Sequence, residues 1–273
     1  MENVVIVGSG PAGLTAGIYA ARAGLKPLVL EGLESGGQLM QTQHVANYPG
    51  FPETVTGPAV IAAMRAQAEK AGVRFALDVV ESVDFSGDVK RLNTMMGDVL
   101  EARAVILATG AGVTKTNLPG EAKYWGRGIS ACLTCDGAFY AGKTVAVVGE
   151  GPAAQGAKAY LGRCGATVAA ILAPAEVSSF EGDGARLAGV ARKDGSRVAV
   201  DGLFLVTART PQTAFLGDAV ARDGKGHVVV DGVKTSVPGV FAAGDCANPR
   251  FKQAVIAAGM GAQAALEARA ILG

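Results

Sequence analysis

At 273 residues the chain is long enough for one large domain or two modest ones, with a core that needs no covalent staples. Hydrophobic residues make up 49%, mostly Ala and Val, with aromatics at 5% and 39 glycines, a profile of closely packed α/β layers rather than of a membrane protein. A net charge of +1 excludes a global attraction to nucleic acid or a membrane surface, and four cysteines exclude a secreted disulfide framework.

The N-terminal ENVVIVGSGPAG passes from a strand into a glycine turn with no basic leader region, so no signal peptide is expected. No apolar run is read as long enough to span a bilayer, and the expected location is cytoplasmic. Residues 4 to 31 give an apolar strand (Val4 to Val7), the turn Gly8-Ser9-Gly10-Pro11-Ala12-Gly13, a small-residue helix, Gly24, a second strand (Leu28 to Leu30) and Glu31. This is a dinucleotide-binding fingerprint in its required context. Gly8 allows the tight turn, Gly10 admits a pyrophosphate, and Gly13 lets helix close on strand. The helix start offers free N–H groups to phosphate, and Glu31 can hold ribose hydroxyls.

GGQL (36 to 39) and HVANYPGFP (44 to 52) read as loop, too irregular for helix or strand. VILATGA (105 to 111) reads as a buried strand ending in a glycine turn. Next comes ISACLTCDGAFY (129 to 140), with Cys132 and Cys135 two residues apart beside Asp136. A structural zinc site needs four N or S ligands. There is no second CxxC, and neither His44 nor His227 has finger-like spacing, so no metal is expected. A bridge closing so short a loop contributes little stability. Redox chemistry is the remaining reading, since CxxC lowers a thiol pKa and eases disulfide exchange.

Residues 145 to 172 repeat the first unit at a shift of 141, with Gly149 on Gly8, Gly151 on Gly10 and Ala154 on Gly13. Cys164 falls on Ala23 and reads as a small filler at a helix end. The counterpart of Glu31 is Leu172, followed by Ala173 and Pro174, which offers neither the acid that favours NAD nor the base that favours NADP. A loop, APAEVSSFEGDG, then leads to hairpin-like strands around LAGVARKDGSRVAVDG and to LFLVTA (203 to 208). The second unit therefore reads as degenerate or cut short. Residues 238 to 272 give a strand, Gly244-Asp245, Cys246 and a long Ala-rich helix.

The motifs GSGPAG, GGQL, NYPGFP, ATGA, ACLTCDGAFY, GVFAAGD and KQAVIAAGMG, in that order over almost the whole chain, resemble the low-molecular-weight thioredoxin reductases. The resemblance implies an α/β protein of two Rossmann-like, three-layer lobes, the second reduced in size. An FAD lobe would comprise residues 1 to 113 and 214 to 273, with a CxxC lobe, 114 to 213, inserted through ATGAGVTKTNLPG and TARTPQTA. It implies FAD held by the turn from Gly8 through Ser9, Gly10, Pro11, Ala12 and Gly13. Glu31 would take the adenosine ribose, and Gly37, Gln38, Leu39 and Asn47 would lie along the cofactor. Ala108, Thr109, Gly110, Gly244 and Asp245 would line it too, with Asp245 accepting from ribityl hydroxyls. Gln253 and Ala254 would meet the flavin pyrimidine edge through N–H groups at a helix start, which favours the anionic reduced ring. Cys135 would face the flavin, Cys132 would attack a thioredoxin-like disulfide, and Asp136 would serve as general acid and base once burial raises its pKa.

Family members that use NADPH read its 2′-phosphate with a His-Arg-Arg cluster where this chain has Leu172-Ala173-Pro174, and Glu150 adds negative charge to the phosphate turn. Little or no use of NADPH is expected, as in the shortened relatives that draw electrons from ferredoxin or another low-potential donor. Candidate docking cations (Arg65, Lys70, Arg74, Arg186, Arg192, Lys193, Arg197) are scattered. A homodimer is expected from the resemblance. The rival readings are an NADPH-dependent reductase, a dithiol oxidase passing electrons to oxygen, and a non-catalytic flavin-binding protein.

Overall fold

The computed structural model describes residues 1–32 and 34–273. The chain opens with β1 (Glu2–Val7), α1 (Pro11–Arg22), β2 (Leu28–Leu30), α2 (Gly57–Lys70), β3 (Arg74–Ala76), β4 (Val80–Asp84), β5 (Lys90–Thr94), β6 (Val99–Leu107) and β7 (Ala111–Val113). It continues through α3 (Glu121–Tyr124), β8 (Ile129–Ser130), α4 (Leu133–Asp136), β9 (Thr144–Gly149), α5 (Gly151–Arg163), β10 (Thr167–Leu172), β11 (Val177–Gly182), β12 (Leu187–Arg192), β13 (Arg197–Ala199) and β14 (Gly202–Val206). The last elements are β15 (Arg209–Pro211), β16 (Val240–Ala242) and α6 (Ala254–Leu272).

Two α/β lobes result. In the first, β3-β2-β1-β6 run parallel, the β4-β5 hairpin extends them antiparallel, and β16 returns to pair with the end of β6. Strands buried on both faces carry unbroken apolar runs, which is why Val4 to Val7 and Val105 to Leu107 are legible as strands. One face is covered by α1, α2 and α6. Pro11 starts α1 with its ring-fixed φ, and Thr56 caps α2 by accepting from Ala59 N–H at 3.3 Å. α6 crosses α1 so closely that a Cβ on Gly261 would lie 2.1 Å from the Ala12 carbonyl oxygen.

The second lobe has the parallel order β10-β9-β14-β8. α5 packs on one face with Tyr140 and Phe204, and the antiparallel sheet β11-β12-β13 packs on the other. The chain passes between the lobes through β7 and β15, which pair antiparallel with Arg209 opposite Val113.

Three local expectations are corrected. The segment read as the loop APAEVSSFEGDG contains β11, whose Val177 and Phe180 are buried against β12; a register shift between Val177 and Ser179 breaks the alternation that marks a strand. Gly37–Gln41 forms a 3-10 helix inside the stretch read as irregular. One helix, α6, is long and apolar enough to cross a membrane, at mean hydropathy 1.3, where no such run was expected. Alanine supplies that apolarity, and Ala264, Ala265 and Ala268 are buried in the core shared with α1.

Candidate redox site

The first glycine turn is shaped by contact rather than by flexibility alone. Gly8 has φ +111°, and a Cβ there would lie 2.4 Å from the Ala108 carbonyl oxygen; a Cβ on Gly13 would lie 1.8 Å from that of Gly8. Gly10 differs, because the nearest atom to its would-be Cβ is Gly36 O at 4.0 Å. Space is therefore kept at the one glycine expected to face a pyrophosphate. Ser9 is buried and accepts from Gly36 N–H at 3.0 Å, which ties the GGQL turn to the first glycine turn and sets Gly37 beside Gly10. Pro11 and Ala12 open α1 at this point, with Ala12 packed under α6. Glu31, at the end of β2, accepts from Ser35 Oγ at 2.5 Å and is ion-paired with Arg65, whose guanidinium lies 4.1 Å over the Phe75 ring.

A second group lies toward the lobe boundary. Ala108, Thr109 and Gly110 follow β6, and the buried Thr109 hydroxyl has no partner among the described residues. Gly244 (φ +78°) turns the chain into Asp245, whose carboxyl burial pushes upward, opposed by Lys252, Arg209 and His227. No hydrogen bond reaches the Asp245 carboxylate from the described residues. Lys252 donates to the Asp245 and Asn248 carbonyls, and burial pushes its own pKa down. Gln253 and Ala254 begin α6, whose first N–H groups have no intrahelical acceptors. Asn47 Nδ2 donates to Gln253 Oε1 at 3.3 Å, and Gln38 Nε2 donates to the Ala111 carbonyl. Leu39 instead packs into the helix-side core, its carbonyl against Gly57. Space beside Gly10, where a Cβ would come no nearer than 4.0 Å to any atom, and an Asp245 carboxylate that accepts no hydrogen bond from the described residues fit a dinucleotide with a polyol chain, as FAD has.

Cys132 and Cys135 form a disulfide across the single turn of α4. Cys132 is the helix N-cap, and its Sγ accepts from Cys135 N–H at 3.3 Å, a donor that would stabilise a thiolate there. Ser130 Oγ accepts from Cys132 N–H at 3.0 Å and donates to the Asp136 carboxylate. Burial holds the Asp136 carboxyl above the ordinary carboxylate range, with the Ser130 hydrogen bond and the charge of His44 opposing. The His44 ring also lies 5.2 Å from that of Phe139. Cys164 caps the end of α5 half-buried beneath Gly137, and buried Cys246 donates to the Leu107 and Ala243 carbonyls.

The two groups meet. Gln253 Nε2 donates to Thr134 Oγ1 at 2.7 Å, between the two cysteines. Arg209 donates to Gln38 Oε1 at 3.1 Å and to the Ala131 carbonyl at 2.8 Å. Sequence reasoning missed Arg209, Thr134 and Ser130, and considered His44 only as a metal ligand; no local pattern marks any of them.

At the corresponding end of the second unit, Leu172 is buried, and Glu176 accepts from Ala173 N–H at 2.7 Å. Arg192 reaches this end but is paired with Glu176 and Asp194. Among the candidate docking cations, Arg65, Arg74, Arg192 and Arg197 are all ion-paired to glutamates.

A family profile described as pyridine nucleotide-disulphide oxidoreductase matches residues 2–176 and 170–261. The thioredoxin reductase of Streptomyces coelicolor is 37% identical over 303 aligned positions, covering 100% of this chain and 94% of its own. That aligned length exceeds 273 residues, so the relative has segments that this chain lacks. The bifunctional thioredoxin reductase/thioredoxin of Mycobacterium leprae is 38% identical, and 98% of this chain spans 65% of that protein's length. The solved thioredoxin reductase from Giardia duodenalis superposes with a TM-score of 0.88 at 35% identity, covering 97% of each chain.

Proposed function

The chain belongs to the pyridine nucleotide-disulphide oxidoreductase family, as a thioredoxin reductase-like FAD disulfide oxidoreductase, and we propose that it reduces thioredoxin through Cys132 and Cys135 with electrons from a donor other than NADPH. The observation that carries the relay is the hydrogen bond between Gln253 and Thr134, which puts the cysteine pair against the helix start assigned to the flavin. FAD, held by the Gly8–Gly13 turn, Asp245 and the start of α6, would supply a two-electron reservoir for the disulfide.

The chain's own residues do the rest. Two electrons open the Cys132–Cys135 bond and leave two sulfur anions. Asp136, kept protonatable by burial, gives a proton to one of them, and Cys135 N–H stabilises charge on Cys132. Cys132, half-buried at the N-cap, then attacks the partner disulfide, and Asp136, reprotonated from solvent, protonates the departing thiolate. Cys135 resolves the mixed disulfide, which returns the pair to its oxidised form and releases a dithiol. Asp245, Gln253 and the glycine turn bind and orient the cofactor.

The donor reading rests on Leu172 and Ala173, which stand where NADPH-using relatives carry basic residues, and on the ion pair that engages Arg192 with Glu176. We favour ferredoxin or another low-potential one-electron carrier, delivering two electrons in succession. Anaerobic titration decides it. Reduced ferredoxin is expected to bleach the flavin and NADPH to leave it yellow; rapid bleaching by micromolar NADPH overturns the donor assignment while leaving the thiol relay intact.

A further inference from the structure

We propose that Arg209 is a positioning residue that ties the disulfide-bearing segment to the flavin-side wall and holds the two lobes in the arrangement that presents Cys132–Cys135 to the cofactor. The proposal rests on the flavin–disulfide relay and adds to it a residue and a mechanical role.

Arg209 sits on β15, one of the two strands through which the chain passes between lobes, so its backbone belongs to the hinge itself. Its side chain spans what the hinge would separate. One nitrogen donates to the carbonyl of Ala131, the residue before Cys132, and the other to Gln38 Oε1 on the first lobe. Gln38 in turn donates to Ala111 on the partner strand of the hinge. Disulfide lobe, guanidinium, flavin-side loop and hinge strand thus form one closed circuit. A planar fork with several fixed donors suits this better than an ammonium, because two acceptors on different lobes are met in one geometry. The Asp245 carboxylate lies close enough to attract the same guanidinium from the cofactor side.

Further contacts among the described residues cross the boundary, including Gln253 to Thr134, His44 to Phe139 and Gly126 against Gln41 and Gln43. None of these grips both lobes and the hinge together. A lobe that had to turn toward a nicotinamide would have to break the Arg209 circuit at every turnover. Without that requirement, the tie can stay closed through the whole cycle.

The test uses the FAD-loaded protein and two readouts. Small-angle X-ray scattering reports the lobe arrangement. The second readout is recovery of flavin absorbance after one equivalent of dithionite, as two electrons pass from the flavin to open the S–S bond. R209A is expected to keep its flavin but to scatter as a more open particle, with recovery slowed about tenfold through lost positioning. R209K, which can meet the same acceptors with a point charge, is expected to fall between R209A and the wild type on both readouts. R209A that scatters and recovers like the wild type overturns the tie, as does slowing with unchanged scattering. Should R209A fail to fold, R209Q, which keeps one donor and loses the fork, carries the same comparison. Wild-type flavin that never recovers would sink the relay itself, and scattering still judges the tie.

Discussion

Gln253 Nε2 and Thr134 Oγ1 stand 2.7 Å apart, which joins the first residue before α6 to a residue enclosed by the cysteine pair. The Gln253 amide also donates to the Lys252 carbonyl at 3.0 Å, so losing Thr134 does not orphan it. Thr134→Val removes one neutral hydrogen bond, worth about 1 kcal/mol, and is expected to slow flavin-to-disulfide transfer roughly fivefold. Stopped-flow absorbance checks this. An unchanged rate removes the contact from the transfer step.

The cysteines are expected to divide their labour. Cys135→Ser should keep the yellow cofactor, lose flavin-to-disulfide transfer, and leave Cys132 able to trap thioredoxin as a lasting mixed disulfide. Cys132→Ser should trap nothing. Mass spectrometry of the two variants after incubation with oxidised thioredoxin reads the difference, and trapping through Cys135 instead would reverse the assignment.

Asp136 predicts a pH dependence of definite sign. Burial raises its folded pKa above the unfolded value, so the folded chain binds the proton more tightly. That contribution to stability is fully present below the unfolded pKa and is lost as pH rises through the folded one. Asp136→Asn should therefore melt no earlier than the wild type at pH 8, and should compare less favourably at pH 4. Turnover should fall about a hundredfold through loss of the acid–base group. A wild-type rate in Asp136→Asn would remove it from the chemistry.

Two glycines of one turn should separate folding from cofactor binding. In Gly13→Ala the new methyl meets the Gly8 carbonyl at 1.8 Å, so the variant should lose on the order of 3 kcal/mol or fail to accumulate folded. In Gly10→Ala the methyl meets only the Gly36 carbonyl oxygen, at 4.0 Å, with no clash. The fold should survive with weakened FAD affinity, seen as a normal far-ultraviolet spectrum on a protein that sheds flavin during gel filtration. Full flavin retention in Gly10→Ala would place the pyrophosphate elsewhere.

The first glycine turn was legible because part of its steric logic is local: a Cβ on Gly13 would meet the Gly8 carbonyl inside the same turn, and Gly8 itself holds φ +111°. The cysteine pair was legible from its spacing. Arg209 was not, because its importance comes from three chain segments, around residues 38, 131 and 209, that only tertiary folding gathers. β11 failed for a related reason. Val177 and Phe180 stand three apart, out of step for one sheet face, and a register shift between Val177 and Ser179 reconciles them. α6 is the long Ala-rich helix expected there, and the alanine face that allows close approach to α1 is also what raises its mean hydropathy to 1.3.

The pairing of β16 with β6 sets Val240 beside Val105, while the strands of the second lobe, from Ile129 to Val206, lie between them in the chain. During synthesis the inserted lobe can assemble as soon as its own strands emerge. The first must wait for β16 and for the alanine helix that seals α1. Nascent chains halted before residue 240 should thus carry a finished disulfide lobe beside an open, sticky half-sheet. The exposed interval ends only when translation has supplied β16 and α6.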